Sequence, residues 1–181
     1  NGDIWVGSDL LNRFDRKTET FIQYRHDPGD STTVVGNSAF DIYEAINGDV
    51  WISSTTNGVS RLPAGETDTF ENYYYKPGEP NSLTSDLVFK ISEDSSGKIW
   101  VGSRSGLNRI NPETGEVTRY LDDPGNSLED QAKSFIRDQY HPPGEPNIMW
   151  LVTVGGLVKF NTITGDTTRF TPSEDQLEGN T

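Results

Sequence analysis

Cysteine is missing from this 181-residue sequence, so neither a disulfide framework nor a thiolate metal site is open to it. Histidine is scarce. His26 and His141 stand in different loops with no partner at metal-ligand spacing, which argues against a histidine-based metal centre. Basic residues are few: 15 Lys and Arg against 28 Asp and Glu give a formal charge of −13. Phosphate binding needs a basic face, so nucleic acid is not an expected partner. No apolar run approaches the roughly 20 residues of a membrane span, so none is expected in this segment. An initiator methionine and a signal sequence are both absent, and the start is expected to have been removed. There is no G-x-S-x-G nucleophile motif. No catalytic residue, metal or cofactor is expected.

What is present comes in short pieces. Only 31% of the chain is hydrophobic, arranged in brief regular runs that suit thin sheets better than one thick core. The 18 glycines and 10 prolines imply many turns. One stretch recurs: Gly2 to Ser8, Gly48 to Ser54 and Gly97 to Ser103 share a Gly-x-(Ile/Val)-Trp-(Val/Ile) core, and Ile148 to Thr153 is a worn copy. All four tryptophans, Trp5, Trp51, Trp100 and Trp150, fall at the same place in it, spaced 46, 49 and 50 residues apart. A repeat of this period means a solenoid, an array or a propeller.

Each repeat reads as several short strands. In the third, strands are expected at 86–92, 99–102, 107–110 and 116–120, separated by turns rich in Asp, Ser, Asn and Gly. The second repeat follows the same plan, with Asn47-Gly48 as a hairpin signal. The fourth begins with a strand at 134–136 and a long first hairpin at 138–147, and the first starts at its second strand. Four antiparallel strands per repeat, without a helical period, indicate β-propeller blades. The expected fold is all-β: a partial β-propeller of about four blades and about fifteen strands. It forms a single segment over 1–181, with repeats at approximately 1–33, 34–82, 83–128 and 129–181. The tail from Pro172 resembles the linker Pro80 to Ser85, so an arc of a longer propeller is expected, with a closed four-blade ring as the alternative. Neighbouring blades are therefore expected partners, and the uncovered faces of an arc are possible dimer surfaces.

These residues carry a resemblance. Ile91, Glu93, Asp94, Gly97, Ile99, Trp100, Val101, Gly102, Ser103, Gly106, Leu107, Asn108, Arg109, Thr114, Gly115 and Tyr120, with the linker Pro77, Gly78, Pro80, Asn81, Ser82 and Leu83, resemble the two-component regulator propeller repeat. Repeat one departs at Asp9-Leu10-Leu11, lacking the glycine before leucine, and repeat four lacks the glycine before its tryptophan. The resemblance implies a seven-bladed propeller in the periplasmic or extracellular sensor region of a hybrid histidine kinase. It implies a non-catalytic, signal-relaying role responsive to an oligosaccharide or other small ligand. Nothing in this segment resembles the kinase itself. Two alternatives remain: a propeller lyase or hydrolase acting on polysaccharide or antibiotic, and a surface or secretion-system scaffold. Asp94 to Trp100 also resembles the docking motif of quinone-dependent dehydrogenase propellers, in one repeat only.

Among candidate residues, the tryptophans read as interblade packing rather than sugar platforms, since they recur once per blade within a strand. Arg13, Arg61, Arg109 and Lys159 recur on the third strand and read as structural pairs with a carboxylate or carbonyl. Glu44, Glu93 and Asp138 read as the ends of innermost strands rather than an acid/base pair. Once the repeat is subtracted, the variable positions stand out. Arg25 and His26, Tyr74 and Tyr75, and Arg104 fall in loops expected to share one rim, where aromatic and charged side chains suit a sugar or peptide.

Overall fold

The computed structural model describes residues 2–122 and 133–171. Among these described residues are fifteen strands in four antiparallel meanders. The first sheet has three strands, β1 (Ile4–Gly7), β2 (Leu11–Asp15) and β3 (Thr20–Tyr24). The second joins β4 (Ile42–Glu44), β5 (Val50–Ser54), β6 (Gly58–Leu62) and β7 (Glu71–Tyr73). The third joins β8 (Val88–Glu93), β9 (Ile99–Ser103), β10 (Gly106–Ile110) and β11 (Val117–Tyr120). The fourth joins β12 (Ile136–Tyr140), β13 (Ile148–Thr153), β14 (Gly156–Asn161) and β15 (Thr167–Phe170). The chain is an arc of a β-propeller, four blades long, whose first blade enters at its second strand. The first strand of each later blade is innermost, since β8 touches both β4 and β12.

Residue chemistry explains the local turns. Asn111 folds the third-to-fourth-strand turn by accepting Glu113 N at its side chain (3.1 Å) and Gly115 N at its carbonyl (2.8 Å). The third strands β6, β10 and β14 open on Gly58, Gly106 and Gly156, at φ of 92°, 140° and 113°. A Cβ at Gly106 would lie 2.9 Å from the Tyr120 carbonyl, so glycine is required there on both counts. Leu10 stands in this register in the first blade and does not take positive φ, and β2 accordingly starts one residue later, at Leu11. The fourth blade also departs from the expected pattern. Its first strand continues through Asp138 to Tyr140, so the hairpin is shorter and Asp138 does not end the strand. By pairing register, His141 occupies the position held by Glu44 and Glu93 in blades two and three.

The apolar cores lie between blades rather than within them. Along β9, Ile99 and Val101 pack towards the second blade, joining Trp51, Val59, Leu83, Val88 and Ile91. Trp100 points the other way and packs with Leu107, Ile136, Met149, Leu151, Val158 and Phe160 of blades three and four. This is the period-2 alternation of a strand covered on both faces. The first interface repeats the plan, with Trp5 against Leu11, Tyr24, Val50, Ile52 and Phe70. Each indole thus serves the interface with the blade that follows. Trp51 and Trp100 are fully buried, whereas Trp150, on the outer side of the fourth blade, is only half-buried. Beside it Val152, Leu157 and Phe170 are exposed, as are Ile4, Val6 and Phe21 on the opposite end of the arc.

Burial sets the expected cost of losing an indole. Trp100→Ala should destabilise the fold by about 3–5 kcal/mol, and Trp150→Ala by clearly less, because its ring has a sheet on one side only. Chemical denaturation of the two variants measures the difference; equal losses would contradict the interblade role.

Candidate functional site

Antiparallel meanders place every second-to-third-strand loop and every linker between blades at one end of the sheets, here termed the upper face. The rim residues expected from the sequence lie there, in three successive blades. Arg25 donates to the Gln23 side chain. The His26 backbone N–H donates to Asn37 Oδ1 at 3.0 Å, and its ring Nδ1 donates to the Val34 carbonyl at 2.8 Å. Tyr74 is half-buried, and burial raises its phenol above the ordinary value. Tyr75 N donates to Asp86 Oδ1 at 2.7 Å, and its ring carries the Arg119 guanidinium 5.7 Å above it. The Arg104 backbone donates to the Leu87 carbonyl at 2.9 Å, and its side chain is exposed. No hydrogen bond or ring contact joins these five residues to one another. His26 is held within its linker, while Tyr75 and Arg104 present side-chain surface to solvent.

A second feature of the upper face was not read from the sequence. Phe40, Phe89 and Phe135 form a row across the inner ends of blades two, three and four. The Phe40 and Phe89 rings lie 5.7 Å apart, edge to face, and the Phe89 and Phe135 rings 4.8 Å apart, tilted. Arg137 sets its guanidinium 4.9 Å from the Phe135 ring. Phe40 is 59% exposed, a large apolar surface to leave in water. Local backbone explains the row. The pairing register shifts between Val88 and Lys90, so Phe89 occupies a bulge that re-aims its side chain. A matching shift between Ile136 and Asp138 puts Arg137 at the equivalent bulge, with Phe135 two residues before it. Phe40 and Phe89 are 49 residues apart, the same interval as Trp51 and Trp100, and that was the available signal.

On the lower face, third-strand cations cover the indoles. Arg13, Arg61 and Arg109 each lie 5.8 Å from the ring of Trp5, Trp51 and Trp100, and Lys159 lies 5.9 Å from Trp150. Arg61 shows the structural pairing in full. Its Nε donates to Asp49 Oδ2 at 2.7 Å, and NH1 donates to Glu71 Oε2 at 2.9 Å and to the Pro112 carbonyl of the next blade at 2.7 Å.

Between blades three and four, His141 Nε2 meets Ser92 Oγ at 2.9 Å. A serine beside a histidine is a nucleophile–base geometry when a third group orients the base. Asp94, whose charge acts on His141, is occupied elsewhere: its oxygens accept Trp100 Nε1 (2.7 Å), Ser96 N (2.8 Å) and Lys98 N (3.1 Å). Ser92 also accepts Gln139 Nε2 at 2.9 Å, and that amide donates to the Trp100 carbonyl at 2.8 Å. The group is an interblade polar clamp. Burial lowers the His141 pKa, against a weaker opposing pull from Asp94. Among the described residues no cluster of three or more His, Asp and Glu side chains could hold a metal. No helix among them is long and apolar enough to cross a membrane.

Comparison with known proteins bears on this geometry. Residues 82–105 match the family model described as two component regulator propeller. The matched stretch runs from the linker after Asn81 through β8 and β9 to the loop holding Arg104. No curated protein matches the chain. Among solved structures, the extracellular domain described as that of the hybrid two component system BT3049 from B. thetaiotaomicron superposes with a TM-score of 0.75 at 23% identity, covering 94% of this chain. The chain spans 23% of that structure's length. Virginiamycin B lyase from Staphylococcus aureus matches with a TM-score of 0.64 at 17% identity, over 96% of this chain and 54% of its own. PorZ, a surface component of the type-IX secretion system of Porphyromonas gingivalis, matches with a TM-score of 0.64 at 18% identity, over 94% of this chain and 26% of its own. At these identities the shared property is the propeller fold.

The clamp generates a pH dependence. Because His141 has a folded pKa below the ordinary value, its neutral form is favoured in the folded state, and its contribution is fully present above about pH 6.5. That contribution is lost as pH falls below 6.5 through the depressed folded value. Urea titrations across this window should show stability declining, and His141→Asn should flatten that decline; an unchanged profile would remove His141 from the clamp.

Proposed function

We propose that this chain is a non-catalytic, ligand-sensing and signal-relaying segment of an extracytoplasmic propeller in a two-component regulator. The observation that carries the reading is the regulator-propeller match across residues 82–105, set within four blades of the same repeat. The superposition on an extracellular domain of a hybrid two-component system supports the compartment. The parent propeller would have seven blades, and the exposed faces of blades one and four would receive neighbouring blades or domains.

The ligand is a glycan-derived small molecule bound on the upper face. The Phe40–Phe89–Phe135 row gives apolar ring faces for the C–H surfaces of sugars, and Arg137 a donor beside them. Tyr75 and Arg104 lie on the same face, with Arg25, His26 and Tyr74 in its linkers. Ligand binding would be relayed by a shift between adjacent blades or between two copies in a dimer. The lyase likeness favours a second reading, turnover of a polysaccharide or antibiotic, but Asp94 is engaged away from the Ser92–His141 pair.

Calorimetric titration of the complete parent propeller against an oligosaccharide panel tests the proposal. At least one oligosaccharide should bind, and Phe89→Ala should weaken it by roughly tenfold, about 1.4 kcal/mol. Silence across the panel would favour a scaffold, and chemical conversion of any member would favour an enzyme.

A further inference from the structure

The clefts between successive blades on the lower face are built from equivalent residues, yet the one between blades one and two lacks the pairing that closes the one between blades two and three. The cleft between blades two and three has a volume of about 210 Å³ and contains Arg61 and Pro112. There the guanidinium is held by three partners, one of them the carbonyl of the following blade. The cleft between blades one and two is larger, about 330 Å³, and is lined by Asp3, Trp5, Arg13, Glu44, Asn47 and Glu66 among others. Its cation, Arg13, makes no hydrogen bond. Asp3 Oδ2 stands 3.9 Å from Arg13 Nε, and that Nε is buried without a partner.

Two of the three missing partners have a cause in the sequence. Arg13 pairs across the sheet with Ile22, where Arg61 faces Glu71. The carbonyl that should come from blade two is also lost. In blade three the turn after β10 brings the Pro112 carbonyl to Arg61; in blade two Ala64 stands in that register, and its backbone N–H is drawn back to Asp49 Oδ1 at 2.8 Å. A buried donor without an acceptor is costly and rare. A cavity this size, with a half-buried indole and converging polar groups, falls within the roughly 300–1,000 Å³ range of small-molecule sites.

We infer that the cleft between blades one and two binds a neutral, sugar-sized polyol, with Arg13 as its donor and the surrounding carboxylates as its acceptors. The lining decides the chemical class. Arg13 offers only donors, and Asp3, Glu44 and Glu66 only acceptors. A hydroxyl both accepts and donates, so a polyol satisfies the two sets together. An anionic ligand meets three like charges in the same cleft, and a bare ammonium ion, with donors only, leaves Arg13 without an acceptor. Trp5, stacked on Tyr24 at 5.6 Å, supplies the apolar wall. The site lies on the face opposite the phenylalanine row and does not depend on ligand binding there.

Amide NMR of the complete parent propeller tests the assignment with two probes of one ring size, glucose and glucuronate. Glucose should shift the amides of Gly48, Ala64 and Gly65 and bind more tightly than glucuronate. Arg13→Gln and the surface variant Glu66→Gln should each weaken glucose by about tenfold, the loss of one charge-assisted hydrogen bond. Arg109→Gln, in the same register of another cleft, should leave it unchanged. Tighter binding of glucuronate, shifts near Phe89 instead of Ala64, or no binding by either probe would overturn the inference. Should Arg13→Gln fail to fold, Glu66→Gln decides: undiminished glucose binding in that variant is also fatal.

Discussion

The contact between an indole and the sheet of the next blade carries this architecture. A four-stranded meander has two faces and cannot bury either alone. Stacking solves this only if each sheet presents apolar groups on both sides of its second strand, as Ile99, Trp100 and Val101 do. The tryptophan side faces forward and the aliphatic side backward, so every interface is made from two unlike halves. The third-strand cation then lies over the outer part of the ring, adding an attraction that is strongest where water is partly excluded.

Much of this was legible in the chain itself. Fifteen short strands could be placed because the repeat supplies four copies of one pattern, and noise in one copy is corrected by the others. The departures were harder. The fourth blade's first strand was placed too early, because prolines 142 and 143 drew attention to the hairpin while the register shift after Ile136 was invisible. The phenylalanine row was missed for the same reason: a bulge displaces side chains from strict alternation, and strict alternation is what a sequence pattern reports. Ser92 and His141 meet although 49 residues apart, because the ends of adjacent innermost strands become neighbours, with His141 one register step beyond the Ser92 equivalent. Of the third-strand cations, expected as structural pairs, Arg61 makes that pairing; Arg13 differs in the strand beside it, Ile22 against Glu71, and in the turn of the following blade, Ala64 against Pro112.

The two ends of the sheets divide the labour differently. On the upper face, linkers are tied by their own side chains, as where Ser82 Oγ accepts Lys76 N and donates to the Glu79 carbonyl, and by Arg119 of β11, which gathers the carbonyls of Glu79, Ser82 and Leu83. That leaves a rigid rim from which a few aromatic and basic groups project. On the lower face, the clefts are sealed from blade to blade by side chains reaching across. Chemistry specific to this chain therefore appears wherever one copy of the repeat fails to do what its neighbours do.

The close approach at Gly102 has a geometric consequence. A Cβ there would lie 2.7 Å from Ile136 on the neighbouring innermost strand, while further out the same gap holds Tyr120, on the outermost strand, against Phe160. The filling is thin near the axis and thick at the circumference, like a voussoir in an arch. That taper fixes the angle turned at each joint, and the angle in turn sets how many such units complete a circle. Curvature is thus written as a size gradient along a single joint, with a missing methyl at one end and a tyrosine ring at the other.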